Sequence, residues 1–136
     1  MTTRPTTHQV QVRWPDLDIN GHVTHSTVVA YLEVGRDAVL SAHGIPGRDW
    51  VVRHCAIDYA RELRPRGPHV EYRCDGVSPG RTSLRVRERL MQDGETAVSA
   101  EFVLVMWNGA RQTARELTTA ERHELGALTT PDDKEL

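Results

Sequence analysis

The chain contains no apolar run approaching the roughly 20 residues that a membrane span requires; among its longest is F-V-L-V-M-W at 102–107. It has two cysteines, Cys55 and Cys74, and they lack the C-x-x-C spacing of a zinc or redox pair. Both fall in alternating segments and are expected as buried free thiols. Lysine is nearly missing as well, with Lys134 alone among 17 basic residues. A net charge of −2 gives no electrostatic case for binding nucleic acid. The opening M-T-T-R-P-T-T-H lacks the apolar core of a signal peptide, so the expected compartment is the cytoplasm. Apolar residues reach only 38%, which points to further burial by self-association. At 136 residues the chain is expected to form one domain, residues 1–136, with a frayed polar tail from 129.

What is present is a set of clear periodicities. Residues 8–14 alternate, with Val10, Val12 and Trp14 on one face, and predict a strand that Pro15 ends. From about 24 to 43 the spacing turns helical: Val28, Tyr31, Leu32, Gly35, Val39 and Ala42 form one face, and Glu33, Arg36 and Asp37 fall opposite. Four more alternating runs follow, at 51–63, 70–76, 84–90 and 96–107, with turn signals at Gly67-Pro68, Ser78-Pro79-Gly80 and Asp93-Gly94. Thr118 and Glu121 have capping-box spacing ahead of a short helix. The order strand, helix, four strands in a meander predicts an α+β fold. A five-stranded antiparallel sheet curls round one long helix and leaves its edges for another subunit.

The chemistry concentrates in D-L-D-I-N-G-H-V-T-H, residues 16–25. Two carboxylates precede a glycine turn, two histidines and the helix start. The N–H groups of a helix N-terminus stabilise developing negative charge, so Asp18 beside them suits attack on a carbonyl whose oxyanion the helix holds. The same spacing also suits a carboxylate that merely caps a turn. Asp16 is assigned a structural role. His22 and His25 have no third partner at metal-ligand spacing, so no metal site is predicted. His25 fits a general acid or an orienting group, or a satisfied surface histidine, and Glu33 either orients water or is solvated charge. The arginines at 61, 64 and 66 form a local basic patch that by itself is only a solvated loop, although arginine is the better fork for phosphate.

These segments resemble the hotdog-fold acyl-CoA thioesterases of the 4-hydroxybenzoyl-CoA thioesterase type. D-L-D-I-N-G-H-V matches that family's D-x-D-x-x-G-x-V entry into the central helix, and Tyr31, Glu33 and Arg36 occupy the matching helix positions. I-D-Y-A-R-E-L-R-P-R-G at 57–67 is similar to its second-strand signature, and G-R-T-S-L at 80–84 to its G-R-S-S-L turn. His25 matches the branch associated with the Tol–Pal system, while G-H-V at 21–23 matches the long-chain acyl-CoA branch. Thr24 and His25 replace the paired asparagines common after G-H-V, and Val28 stands where an aromatic is frequent.

The resemblance implies a thioesterase in which Asp18 attacks the thioester or activates water, with His25 and Glu33 assisting. It implies substrate contacts from Gly21, His22 and Thr24, and from Tyr59, Arg81 and Ser83 of a partner strand along the CoA arm. No cofactor is implied, because a thioester is already an activated carbonyl. The expected partners are acyl-CoA or an acyl-carrier protein and further copies of the chain, as a homodimer or homotetramer. A hotdog hydratase or dehydratase on enoyl thioesters, and a non-catalytic acyl-thioester-binding module, are the alternatives.

Overall fold

The computed structural model describes residues 6–129. Its elements are β1 (Thr7–Gln11), α1 (His25–Ala42), β2 (Trp50–Tyr59), β3 (His69–Pro79), β4 (Ser83–Gln92), β5 (Glu95–Asn108), the two-residue β6 (Thr113–Ala114) and α2 (Thr119–Leu125). All pairings are antiparallel, and the sheet runs β1-β3-β4-β5-β2, with β6 paired to β5. Only β3, β4 and β5 form a meander. β2 crosses to the far side of β5 and becomes an edge, which corrects the four-strand meander expected from chain order. Bulges between Val52 and His54, Cys74 and Gly76, and Leu90 and Met91 bend the strands. The sheet curls round α1, the hotdog arrangement that the resemblance implies.

The 18-residue helix α1 buries Val28, Tyr31, Leu32, Gly35, Val39 and Leu40, and its expected bounds hold to one residue at each end. Two close contacts seat it on the sheet. The Tyr72 side chain of β3 packs directly against Gly35, and a methyl group there would overlap it. One residue further, Arg36 is buried, where helical spacing put it on the polar side. Its guanidinium donates to Glu88 of β4 through Nε (3.2 Å) and Nη2 (2.5 Å), and Tyr72 donates its hydroxyl to the same carboxylate at 2.5 Å. The guanidinium also stacks 3.7 Å from the ring centroid of Phe102, the only phenylalanine in the chain. Burial pushes the Glu88 carboxyl up, opposed by the attraction of Arg36 and the bonds from Arg36 and Tyr72.

Other expectations shift. β1 stops at Gln11, and Trp14 leaves it for a 3-10 turn at Trp14–Asp16 with 88% of its surface exposed. Cys74 is buried, but Cys55 is exposed on the edge strand, because no strand covers that side of β2. The capping box at Thr118 and Glu121 forms in full and opens α2. The tail beyond 129 lies outside the described residues.

Removing one member of a buried ion pair leaves the other uncompensated, at a cost of about 3–5 kcal/mol. Glu88→Ala should therefore lower unfolding stability by about that amount, read from urea midpoints at constant m-value. Gly35→Ala should lose at least about 1–3 kcal/mol by overpacking against Tyr72. A midpoint within error of the parent for either variant would remove that contact from the account of how α1 is seated.

Candidate active site

The segment before α1 folds back on itself. Leu17 and Val23 form a one-residue antiparallel bridge, the Asp18 N–H donates to His22 O at 2.8 Å, and the Gly21 N–H donates to Asp18 O at 3.0 Å. Gly21 turns the chain at φ +77°, a conformation that side-chain-bearing residues rarely adopt. The turn aims two backbone N–H groups at Asp18: Asn20 donates to Oδ1 at 2.8 Å and His22 at 2.9 Å. Oδ2 has no partner among the described residues. The His22 N–H is the main cause that holds the Asp18 carboxyl below its usual range, helped by Asn20 and by the charges of His22 and Arg64.

Asp16, two residues earlier, is buried and fully engaged. It accepts from the Tyr31 hydroxyl (2.7 Å), from the Arg13 backbone (2.9 Å) and from the Arg13 side chain (3.2 Å). Burial would raise its pKa, but these bonds together hold it below the usual value. Asp16 thus fastens the turn to α1 and leaves Asp18 free at the surface.

Asp18 stands at the rim of a cavity of about 390 Å³ floored by Val23, Val28 and Leu63. Tyr59, His22, Arg61 and Glu62 complete its walls. The loop after β2 is tied there by the Val23 N–H to Leu63 O (2.9 Å) and by Gln92, which accepts from the Arg64 N–H and donates to Glu62 O. His22 Nε2 lies 3.1 Å from Glu62 and against the Arg64 guanidinium. Thr24 is the N-cap residue of α1, but its side chain does not cap the helix. Its hydroxyl bonds to that of Thr27 at 3.0 Å, so the first-turn N–H groups of His25 to Thr27 receive no side-chain cap.

The structure brings Asp18, Gly21, His22, Thr24, His25 and Tyr59 to this end of the sheet. Tyr59 reaches the site within the same chain, hydrogen-bonding His25 Nδ1, with ring centroids 5.6 Å apart. Glu33 lies eight residues, about 12 Å, along α1 from His25. It lines a separate groove of about 590 Å³ with Val34, Val51 and Val52. Arg81 and Ser83 stand at the opposite end: Ser83 pairs with Val105, which faces Val51, whereas Tyr59 pairs with Val98. Seven residues along β5 separate the two, about 23 Å. Arg81 is occupied there by Glu116 at 2.7 Å. Sequence patterning gives no sign of the contact between Tyr59 and His25 or of the clustering of Glu62 and Arg64 on His22. These join residues 34 to 42 apart, and no local spacing encodes them.

Among the described residues, no three His, Cys, Asp or Glu side chains form a group that could hold a metal ion. None of the described helices is long and apolar enough to cross a membrane.

A thioesterase from Thermus thermophilus, crystallised with coenzyme A and zinc, is 30% identical to this chain. The match has a TM-score of 0.76 and covers 94% of this chain and 96% of that one. A thioesterase-superfamily protein from Jannaschia sp. CCS1 is 19% identical at a TM-score of 0.81, covering 96% and 99%, and supports the fold alone. No curated protein matches the sequence. Residues 12–123, from the end of β1 into α2, match the thioesterase-like superfamily, and the chain belongs to that superfamily.

Proposed function

We propose that the chain hydrolyses acyl-CoA thioesters to the free acid and CoA, with Asp18 as the reacting carboxylate. The observation that carries this is the arrangement of Asp18: Oδ1 held by two turn N–H groups, Oδ2 unpaired, on the rim of an apolar-floored cavity beside an uncapped helix start. The relative from Thermus thermophilus, crystallised with coenzyme A, supports CoA as the carrier.

The depressed pKa of Asp18 keeps it ionised at neutral pH and makes it a weak base toward water. That favours direct attack. Oδ2 adds to the thioester carbonyl carbon, the oxyanion takes hydrogen bonds from the first-turn amides of α1, and the C–S bond breaks. CoA leaves as a thiolate and takes a proton from water. Water then hydrolyses the mixed anhydride, releasing the acid and restoring Asp18. In the competing route Asp18 deprotonates a water that attacks the same carbonyl, and no acyl-enzyme forms. Gly21 holds the turn open, and His22 and Thr24 border the thioester.

The site is completed by a second copy. β2 is a ten-residue edge with Val51, Val52 and Tyr59 exposed, and Val34 of α1 is exposed beside its start. Antiparallel pairing of two β2 strands sets the basic half of one, Arg53 and His54, against the half of the other that carries Asp58. It also brings the groove lined by Glu33 of one copy, and the end carrying Arg81 and Ser83, toward Tyr59 and Asp18 of the other. Glu33 then positions water, and Arg81 and Ser83 meet the CoA arm.

Asp18→Asn should cut thiol release from acyl-CoA by about 10²- to 10⁴-fold with fold and oligomer unchanged. A parental rate would end the assignment of Asp18. In a single turnover quenched rapidly, mass spectrometry should find the acyl group on the peptide carrying Asp18; turnover without that adduct would establish the water-activating route. Thiol release from saturated acyl-CoA also separates hydrolysis from enoyl hydration and from silent binding.

Val52→Asp places charge on the free edge. Light scattering should show monomer, and thiol release should fall with it. A monomeric variant of full activity would show that one copy suffices.

A further inference from the structure

His25 is the first residue of α1, and its ring nitrogens are not equivalent. Nδ1 is hydrogen-bonded to the hydroxyl of Tyr59, the last residue of β2, while Nε2 has no partner among the described residues. Burial raises the pKa of Tyr59, so its phenol stays protonated through the neutral range. A neutral phenol has one hydrogen to donate, and the strongest acceptor within its reach is an unprotonated imidazole nitrogen. A bond that runs from the Tyr59 O–H to Nδ1 leaves the ring hydrogen on Nε2. A hydrogen bond that fixes one ring nitrogen decides what the other can do.

We infer that Tyr59 is a positioning residue for His25: its hydroxyl donates to Nδ1, fixes the Nε2–H tautomer and makes His25 a hydrogen-bond donor to the thioester rather than a base for water. The inference rests on the hydrolase reading above and narrows it. A neutral imidazole with Nε2–H lends a hydrogen bond to the oxyanion or the departing sulfur and keeps its proton. The leaving thiolate needs no more than that, since a thiol of pKa near about 8.5 is a stable enough leaving group in water. With Nδ1 engaged by the Tyr59 hydroxyl and Nε2 carrying the ring hydrogen, His25 offers no free lone pair to a water, and the attack on the thioester rests with Asp18. Tyr59 acts through His25, in place of the contact with the CoA arm that the resemblance implies.

The test uses the intact protein with 15N-labelled histidine. Two-dimensional 15N–1H correlation at a pH where the ring is neutral should show His25 as a single Nε2–H tautomer with Nδ1 accepting a hydrogen bond. In Tyr59→Phe the same ring should become a mixture of tautomers. Protonation at Nδ1 in the parent, or an unchanged spectrum in Tyr59→Phe, would overturn the inference.

The spectrum involves no substrate, so its outcome is separate from whether acyl-CoA is turned over. Kinetics give the second arm. Tyr59→Phe should lower kcat about ten-fold with KM unchanged, and combining it with His25→Ala should slow the enzyme no further than His25→Ala alone. A raised KM with kcat unchanged, or additive losses, would make Tyr59 a direct substrate contact instead.

Discussion

The close approach of α1 to the sheet is the constraint on which the rest depends. Gly35 lets the Tyr72 ring lie against the helix backbone, and Arg36 reaches past it to Glu88 and Phe102. A buried guanidinium paired to a buried carboxylate is a poor source of net stability compared with apolar packing, because both ions lose their hydration. It is, however, intolerant of misplacement. Sliding α1 by one residue would move Arg36 about 1.5 Å along the axis and about 100° round it, leaving both charges unpaired. The pair therefore sets the register of the helix, and the register sets where its N-terminus ends. The uncapped first turn sits beside Asp18 because a contact about three turns away permits one position.

The second constraint is the division of labour between two carboxylates two residues apart. Asp16 is buried with both oxygens engaged, while Asp18 is exposed with one oxygen engaged and the other without a partner among the described residues. Both are held in the ionised form, by different means. For Asp16, bonds from Arg13 and Tyr31 outweigh a burial penalty; for Asp18, the turn's own amides contribute most. A charge that is buried and saturated is a fastener. A charge that is stabilised on one side and bare on the other can act on a ligand, and it keeps its orientation while doing so because the bonds that stabilise it also fix its rotamer.

This division explains what could be read in the sequence. The helix from Thr24, its apolar face and the D-x-D-x-x-G turn are legible because each is local: periodicity, a glycine at positive φ and amides two and four residues on all lie within one short segment. The two readings of Asp18, turn cap and reacting group, turn out to be compatible, since capping uses Oδ1 alone. Arg36 is misplaced by helical spacing, which counts an arginine as polar surface, and its partner Glu88 lies 52 residues away. The edge position of β2 is illegible for a similar reason. Its alternation looks like that of an interior strand, and only the crossover to β5 decides that Cys55 faces solvent. Resemblance marks Tyr59 as functional, but its contact with His25 depends on where β2 ends in space.

The exposed residues carry the last step. Apart from Trp14 and Ile19 in the segment before α1, the large exposed apolar side chains among the described residues, Val34, Val51, Val52 and Tyr59, lie along the β2 edge and the neighbouring groove on α1. A ten-residue strand whose outer side pairs with no other strand among the described residues has two stable outcomes, protection by charge or pairing with another strand. β2 carries Arg53, His54 and Asp58, too few and too mixed in sign to repel a second copy, and arranged so that antiparallel pairing sets opposite charges facing. Asp18 stands at one end of that edge, and Glu33, Arg81 and Ser83 stand at the other. Neither end carries the full set of residues assigned to thioester hydrolysis. In the proposed dimer, a two-fold axis across β2 would bring both ends together twice, giving two equivalent sites per pair.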